Sequence, residues 1–180
     1  MAHRKSLIAA AFAPILALSA APLAAQNEGF QSEAASPQLV TQFDAATVSR
    51  LLLDVRATWE TEPSIDGHTN YRASAEGGLN FTLSPRACSE RIGCLGLMML
   101  AVYTDVRAPN MAALDGFLNQ LNDTSPSVKV FRNTQGTVVL QSYINSAGGI
   151  TYRNAQSELL VFGQDIVSVS QAIARFEQQQ

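Results

Sequence analysis

Three stretches of this chain place apolar residues three or four positions apart, the spacing that gives an α-helix one apolar face. Asp44 precedes the first stretch and Asn110 the second, and both are residue types that cap helix N-termini. The spacing predicts three amphipathic helices, the last beginning near Tyr152, although the alternation around Val167 leaves a strand as the alternative there. The apolar positions are Val48, Leu51, Leu52 and Val55, then Met111, Leu114, Leu118 and Leu121, then Leu159, Phe162, Ile166, Val169, Ile173 and Phe176.

Between the helical stretches, short runs of alternating or continuous apolar residues are separated by turn formers. Residues 95–104 are apolar at nearly every position, which predicts a central strand that is covered on each face. A turn around Gly136 joins the last two runs and predicts a hairpin. The predicted strands are residues 58–60, 69–75, 79–83, 95–104, 128–132 and 138–144.

The order helix, strand meander, helix, hairpin, helix is typical of the α+β class. We therefore predict an antiparallel sheet with helices packed on its faces. The chain has 180 residues, which suits a single domain, and the pattern places that domain at residues 44–177.

The first 25 residues have the pattern of an export signal. Arg4 and Lys5 precede an apolar run at residues 7–18 that is short for a membrane span, which makes an uncleaved anchor the weaker alternative. Small residues then lead to a predicted cleavage between Ala25 and Gln26. The polar residues that follow, to position 43, are predicted to form a flexible leader.

Export changes the charge and the compartment of the chain. Removal of Arg4 and Lys5 leaves ten basic residues against fifteen acidic ones, so the net charge moves from −3 to −5. A mildly acidic chain lacks the basic surface of a nucleic-acid-binding protein, and we predict no nucleic-acid partner. We predict a periplasmic protein of a Gram-negative cell, with no membrane insertion after the signal is cleaved.

Cys88 and Cys94 are the two cysteines of the chain, and five residues separate them. This spacing differs from the CxxC of thiol oxidoreductases, and no set of further ligands lies near them in the sequence. In an exported protein the pair predicts a structural disulfide that closes a short loop between two strands. A redox pair and a metal site are the alternatives, and we predict neither a metal nor a cofactor.

His68 is the histidine that remains after removal of the signal. Ser64 and Asp66 precede it, so a small periplasmic hydrolase that uses His68 is the alternative function. No serine lies in the glycine pattern of a nucleophile elbow, and we predict no catalytic residue.

Three residues are weak candidates for a binding surface. Trp59 lies on a short strand, and a single Trp often marks a binding surface, although core packing is the alternative. Asn119 and Asn122 lie at the end of the second helix, where satisfying free backbone groups is the alternative to ligand contact.

The order of these features along the chain resembles the YbjN family, labelled "putative bacterial sensory transduction regulators". The resemblance covers residues 44–176 and implies a fold similar to type III secretion chaperones, which bind protein segments. It implies no established chemistry, and because some members lack the signal and the cysteines, the chain resembles an exported branch. The features are the signal, the first helix, a strand running into Cys88, Cys94 opening the next strand, the Asn119-x-x-Asn122 helix end, Gly136 in the hairpin, and Gly148-Gly149-Ile150 before the last helix.

The sequence therefore predicts a non-catalytic periplasmic binding or chaperone-like module. Its partner is expected to be a protein or peptide, or a second copy of the chain in a homodimer. A link to envelope stress or signalling is a further expectation.

Overall fold

The structure is a computed structural model, and it describes residues 37–64 and 67–179. The helices are α1 (Ala45–Asp54), α2 (Met111–Thr124) and α3 (Tyr152–Gln178). The observed elements follow the predicted order, with two short strands, β1 and β8, in addition. The strands are β1 (Leu39–Val40), β2 (Thr58–Pro63), β3 (Thr69–Ala75), β4 (Leu79–Ser89), β5 (Gly93–Tyr103), β6 (Lys129–Arg132), β7 (Val138–Asn145) and β8 (Ile150–Thr151).

Six of the described strands form one sheet in the order β2-β3-β4-β5-β7-β6, and every neighbouring pair is antiparallel. Hairpins join β2 through β5, and α2 connects β5 to the β6–β7 hairpin. β1 pairs with β8 in a separate two-stranded ladder. The predicted α+β class and the central place of β5 are confirmed.

Side-chain caps fix where each helix begins. Asp44, Asn110 and Thr151 stand immediately before α1, α2 and α3. Each accepts a hydrogen bond from the backbone amide three residues later, at 2.8, 2.9 and 3.1 Å respectively. These bonds satisfy amides that have no partner inside the helix, so the first two helices start where the sequence predicted.

One face of the sheet, which we call the covered face, carries the core. Met99 of β5 points to it and is fully buried. Helix α3 packs there: Phe81 of β4 meets Phe162 edge to face, with ring centroids 6.4 Å apart. The Tyr103 hydroxyl donates to the Ile166 carbonyl oxygen at 3.0 Å, which ties the end of β5 to the middle of α3.

Polar contacts on the covered face connect the helices to one another and to the sheet. The Tyr152 hydroxyl of α3 donates to the Asp54 carboxylate of α1 at 2.8 Å, and burial together with this bond raises the pKa of Tyr152 to about 12. Arg132 of β6 donates twice to Asp115 of α2, at 3.0 Å each, and this contact lowers the pKa of Asp115. All three helices therefore belong to the layer that covers this face.

The opposite face, which we call the open face, is exposed. Val102 of β5 is 57% exposed and Tyr143 of β7 is 47% exposed. The prediction that β5 is covered on both sides is therefore wrong. Because β5 turns apolar side chains such as Met98 and Leu100 outward as well, its sequence lacks the alternation that identifies an exposed face.

The fold begins before Asp44, whereas the sequence analysis assigned residues 26–43 to a flexible leader. Val40 and Phe43 are buried, and the Tyr152 amide donates to the Gln38 carbonyl oxygen at 2.7 Å. Two isolated apolar residues have no periodicity, so the hydrophobic pattern could not identify this segment.

The predicted signal at residues 1–25, its cleavage between Ala25 and Gln26, and residues 26–36 lie outside the described residues. Export therefore stays a prediction. Among the residues that the structure describes, no helix has both the length and the apolar character needed to cross a membrane.

Candidate functional site

Cys88 and Cys94 lie at the tip of the β4–β5 hairpin, where the strand register pairs them directly. Their sulfur atoms are joined in a disulfide, as the spacing predicted. The chain turns back through Gly93, whose φ of +70° lies in the left-handed region that glycine adopts without cost. Both cysteines are half-buried, so the disulfide is reachable from solvent.

Backbone contacts hold this hairpin tip in place on its other side. The Phe43 amide donates to the Cys94 carbonyl oxygen at 2.8 Å. The amide and the hydroxyl of Ser146 both donate to the Leu95 carbonyl oxygen, at 2.8 and 3.0 Å. The position of Cys94 is therefore fixed by the main chain as well as by the disulfide.

His68 lies at the tip of the neighbouring β2–β3 hairpin. The Ser64 amide donates to the His68 carbonyl oxygen at 2.7 Å, and the Gly67 amide donates to the Ser64 carbonyl oxygen at 3.0 Å. Since β3 and β4 are antiparallel, the start of β3 and the end of β4 lie at the same end of the sheet. The imidazole of His68 and the sulfurs of Cys88 and Cys94 each offer an atom within 4.8 Å of the others.

The structure thus joins two candidates that the sequence analysis treated separately. His68 lies far from the cysteines along the chain, and only the register of β3 against β4 brings it to them. No pair of further ligands was expected near Cys88 and Cys94, and the structure brings one such ligand, His68, to them. The sequence contained one signal for this contact. In a strand meander alternate turns lie at the same end of the sheet, so the β2–β3 turn and the β4–β5 turn could be expected to be neighbours.

The hydrolase hypothesis needs a nucleophile or a general base partner beside His68. The Ser64 contact described above runs through the main chain, and Asp66 lies outside the described residues. Two of the side-chain atoms that approach the imidazole are the sulfurs of a disulfide, which has no thiolate to act as a nucleophile. While the disulfide is intact, these two sulfurs therefore offer no nucleophile.

A second candidate feature is a row of apolar side chains on the open face, which we call the apolar stripe. It crosses β5, β7 and β6, because the register pairs Met98 with Tyr143 and Val102 with Val139, and Val139 in turn with Phe131. Val102 and Tyr143 are its most exposed members. The members are Met98, Leu100 and Val102 of β5, Val139 and Tyr143 of β7, and Phe131 of β6.

Gly96 makes room for one end of the apolar stripe. A Cβ atom at Gly96 would collide with the ring and hydroxyl of Tyr143, so the Tyr143 side chain lies directly over this glycine. The absence of a side chain at Gly96 therefore lets an aromatic ring lie flat on the open face.

Charged side chains flank the apolar stripe on both sides. On the open face of β2 and β3, the Arg72 guanidinium contacts the Glu62 carboxylate at 2.9 Å, and Glu60 lies beside them in the register. On β6, the Lys129 ammonium lies 5.3 Å from the centroid of the Phe131 ring. An apolar centre with a charged margin is the usual composition of a protein-binding surface.

The three residues predicted as candidates for a binding surface lie in different surroundings. Trp59 is half-buried and packs against the core on β2, at the edge of the sheet opposite to β6. Asn122 of α2 donates to the Val130 carbonyl oxygen at 2.8 Å and accepts from the Val130 amide at 2.7 Å, which is a structural role. Asn119 is exposed on α2.

A groove on the helical side is another apolar surface of the described residues. It has a volume of about 290 Å³ and runs between α3 and the β3–β4 turn. Leu160 and Val167 of α3 line it and are 51% and 38% exposed. This groove is the competing candidate for a binding surface, and it lies on a different element from the apolar stripe.

Comparison with known proteins gives a family and a fold. The sequence profile of the YbjN family, described as "Putative bacterial sensory transduction regulator", matches residues 44–173. The chain is similar to the crystal structure of YbjN, "a putative transcription regulator from E. coli", with a TM-score of 0.58, 17% identity, and coverage of 79% of this chain and 96% of that one. A comparison with curated proteins gives no match.

A second solved structure has a similar fold. The chain is similar to an uncharacterised protein from Methanothermobacter thermautotrophicus with a TM-score of 0.53 and 10% identity, over 74% of this chain and 96% of that one. At such identities the two structures show a shared fold.

Proposed function

The chain belongs to the YbjN family, and on that basis we propose that it is a non-catalytic binding module that holds a protein partner on the open face of its sheet. The observation that carries the proposal is the apolar stripe, in which a valine and a tyrosine at the centre of the sheet are about half exposed. Contiguous exposed apolar surface on a folded domain marks an interaction site.

The shape of the open face favours a protein over a small molecule. Small ligands bind in concave pockets that enclose most of their surface, whereas the face of a sheet is broad and shallow. Burial of apolar area supplies about 25 cal/mol per Å², so a partner that places apolar side chains on Val102 and Tyr143 gains the most. The flanking charges then set its orientation.

Strand addition at the β6 edge is a poorer mode of binding for this chain. The outward-facing amide and carbonyl of Val130 on β6 are already paired with the Asn122 side chain. A partner strand would have to displace that side chain before it could pair there. We therefore prefer the sheet face to the β6 edge as the binding surface.

We place the module in the periplasm of a Gram-negative cell. The basic start at Arg4 and Lys5, the apolar run at residues 7–18 and the small residues before Gln26 support export. The Cys88–Cys94 disulfide is the type of bond that persists in an oxidising compartment. The family description supports a role in signalling, and the proposed location would place that role at the envelope, with a link to envelope stress as part of the proposal.

The proposal is tested by site-specific photo-cross-linking in the periplasm. A photoreactive residue is introduced at Val102 on the apolar stripe and, in a matched strain, at Leu160 in the groove of α3. We expect cross-links to a discrete protein from position 102 and none from position 160. Native mass measurement of the purified protein distinguishes a second copy of the chain from a different partner.

Charge substitutions supply the control. Val102→Asp should abolish the cross-linked complex formed through a second probe at Tyr143, while Leu160→Asp should leave it unchanged. A complex formed only from position 160 would move the binding surface to the groove and overturn the proposal. A hydrolytic activity of the purified protein that is lost in His68→Ala would contradict its non-catalytic part.

A further inference from the structure

The tips of two neighbouring hairpins bring His68 next to the Cys88–Cys94 disulfide. We propose that these three residues form a redox-gated site for a thiophilic metal ion such as Zn²⁺ or Cu⁺. The site is closed while the cysteines form the disulfide, and it opens when they are reduced to two thiols. This inference does not depend on which face of the sheet binds a protein.

The donor set and its spacing match such an ion. Thiolate and imidazole are the ligands that Zn²⁺ and Cu⁺ prefer among protein groups. Bonds of about 2.3 Å to sulfur and about 2.0 Å to nitrogen place the donor atoms around one zinc ion within roughly 4 Å of one another. The candidate donors of His68, Cys88 and Cys94 already lie within 4.8 Å of one another. Small rotations of the side chains complete the site.

The main chain keeps the donors together after the disulfide is broken. Cys88 and Cys94 are direct partners in the β4–β5 ladder, and the Phe43 amide anchors the Cys94 carbonyl from the other side. The Ser64 amide closes the turn that carries His68. The ligands are therefore positioned by hydrogen bonds that do not involve sulfur.

The gating step is a thiol–disulfide exchange. One thiolate of a dithiol reductant attacks the Cys88–Cys94 bond, and the reductant then leaves as its own disulfide. The protein gains two electrons and two protons and now has two thiols. Binding of the metal ion then releases those two protons, because the ligands are thiolates. All three residues are half-buried, which gives both the reductant and the ion access.

Zn²⁺ binding to the full chain tests the proposal. The purified protein is split into an oxidised sample and a sample reduced with a phosphine, which is removed under anaerobic conditions before titration against a chromophoric chelator. We expect the reduced protein to bind one Zn²⁺ per chain. The oxidised protein should bind Zn²⁺ more than about 100-fold more weakly. Loss of a residue that only orients a metal ligand already lowers metal affinity by roughly 10–100-fold, and here two ligands are unavailable.

His68→Gln isolates the third ligand, because it keeps the disulfide and the side-chain size but removes the imidazole. In the reduced state it should bind Zn²⁺ at least about tenfold more weakly than the reduced wild type. The matched control is Glu90→Gln in the β4–β5 turn between the two cysteines, which should bind as the wild type does. X-ray absorption at the zinc edge should show two sulfur ligands and at least one nitrogen.

Two results would overturn the proposal: equal affinity of the oxidised and reduced proteins, or equal affinity of reduced wild type and His68→Gln. Circular dichroism checks that the reduced protein is folded before the titration. If reduction unfolds it, Zn²⁺ should restore the native spectrum in the wild type and not in His68→Gln, since the site exists only in the folded chain. Failure of Zn²⁺ to do so would also overturn the proposal.

Discussion

Met98 and Met99 are neighbours in β5, yet they lie on different faces of the sheet. Met99 points to the helices and is fully buried, whereas Met98 points to the open face and is half-buried. The same contrast recurs in β7, where Leu140 is buried and Tyr143 is 47% exposed. Apolar residues in one strand can thus have two roles: on the covered face they stabilise the fold, and on the open face they are available to a partner.

Removing each methionine in turn is the strongest test of this contrast. We expect Met99→Ala to lower the free energy of unfolding by about 2–5 kcal/mol, because it leaves a cavity in a fully packed core. Met98→Ala should lower it by about 1 kcal/mol or less, because its side chain loses less burial. Urea-induced unfolding, followed by circular dichroism, measures both values.

Dependence on protein concentration sharpens the same test. Suppose that a second copy of the chain covers the open face. The decrease in the free energy of unfolding caused by Met98→Ala should then grow as the protein concentration rises, because association stabilises only the folded state. Equal losses for the two variants at every concentration would show that the faces do not differ as the structure indicates.

A contact at the edge of the covered face should contribute less to the free energy of unfolding than Met99 does. Asn122 of α2 makes two hydrogen bonds to the main chain of Val130 in β6. Asn122→Ala should lower the free energy of unfolding by about 1–3 kcal/mol, because the amide and carbonyl of the buried Val130 lose their partner. Hydrogen exchange should also show faster exchange of the Val130 amide.

Asn119 provides the matched control on the same helix. Its side chain is exposed, so Asn119→Ala should change the free energy of unfolding by no more than about 0.5 kcal/mol. A loss as large as that of Asn122→Ala would mean that the two asparagines act together, as one surface, and would contradict the structural role of Asn122.

The helices of the covering layer could be predicted from the sequence because their information is local. Periodicity placed the apolar faces, and Asp44 and Asn110 marked where α1 and α2 begin. The disulfide was also predictable, because Cys88 and Cys94 are close in the chain and belong to one hairpin.

The features that the sequence did not reveal depend on pairing between distant segments. His68 reaches the disulfide only through the register of β3 against β4, and no spacing rule encodes that contact. The apolar stripe was missed because a strand that is apolar on both sides is typical of a buried strand. Phe43 was assigned to the leader because its amide bonds to the carbonyl of Cys94, a residue far along the chain, and its burial has no local pattern.

The N-cap of α1 should contribute less to the free energy of unfolding than the Asn122 hydrogen bonds do. The Asp44 carboxylate accepts a hydrogen bond from the Thr47 amide, which lowers the pKa of Asp44. Asp44→Ala should lower the free energy of unfolding at neutral pH by about 1 kcal/mol. Asp44→Asn should lose less, because an asparagine oxygen caps the helix almost as well.

The pH dependence separates the charge of Asp44 from its hydrogen bond. An unfolded aspartate has a pKa of about 3.9, and the folded value lies below it. The charged cap therefore contributes its full stabilisation above the unfolded pKa and loses it as the pH falls through the lowered folded pKa. Asp44→Asn does not titrate there, so the stability advantage of the wild type over this variant should shrink between about pH 5 and pH 2. An advantage that stays constant over that range would show that the ionised carboxylate is not what caps α1.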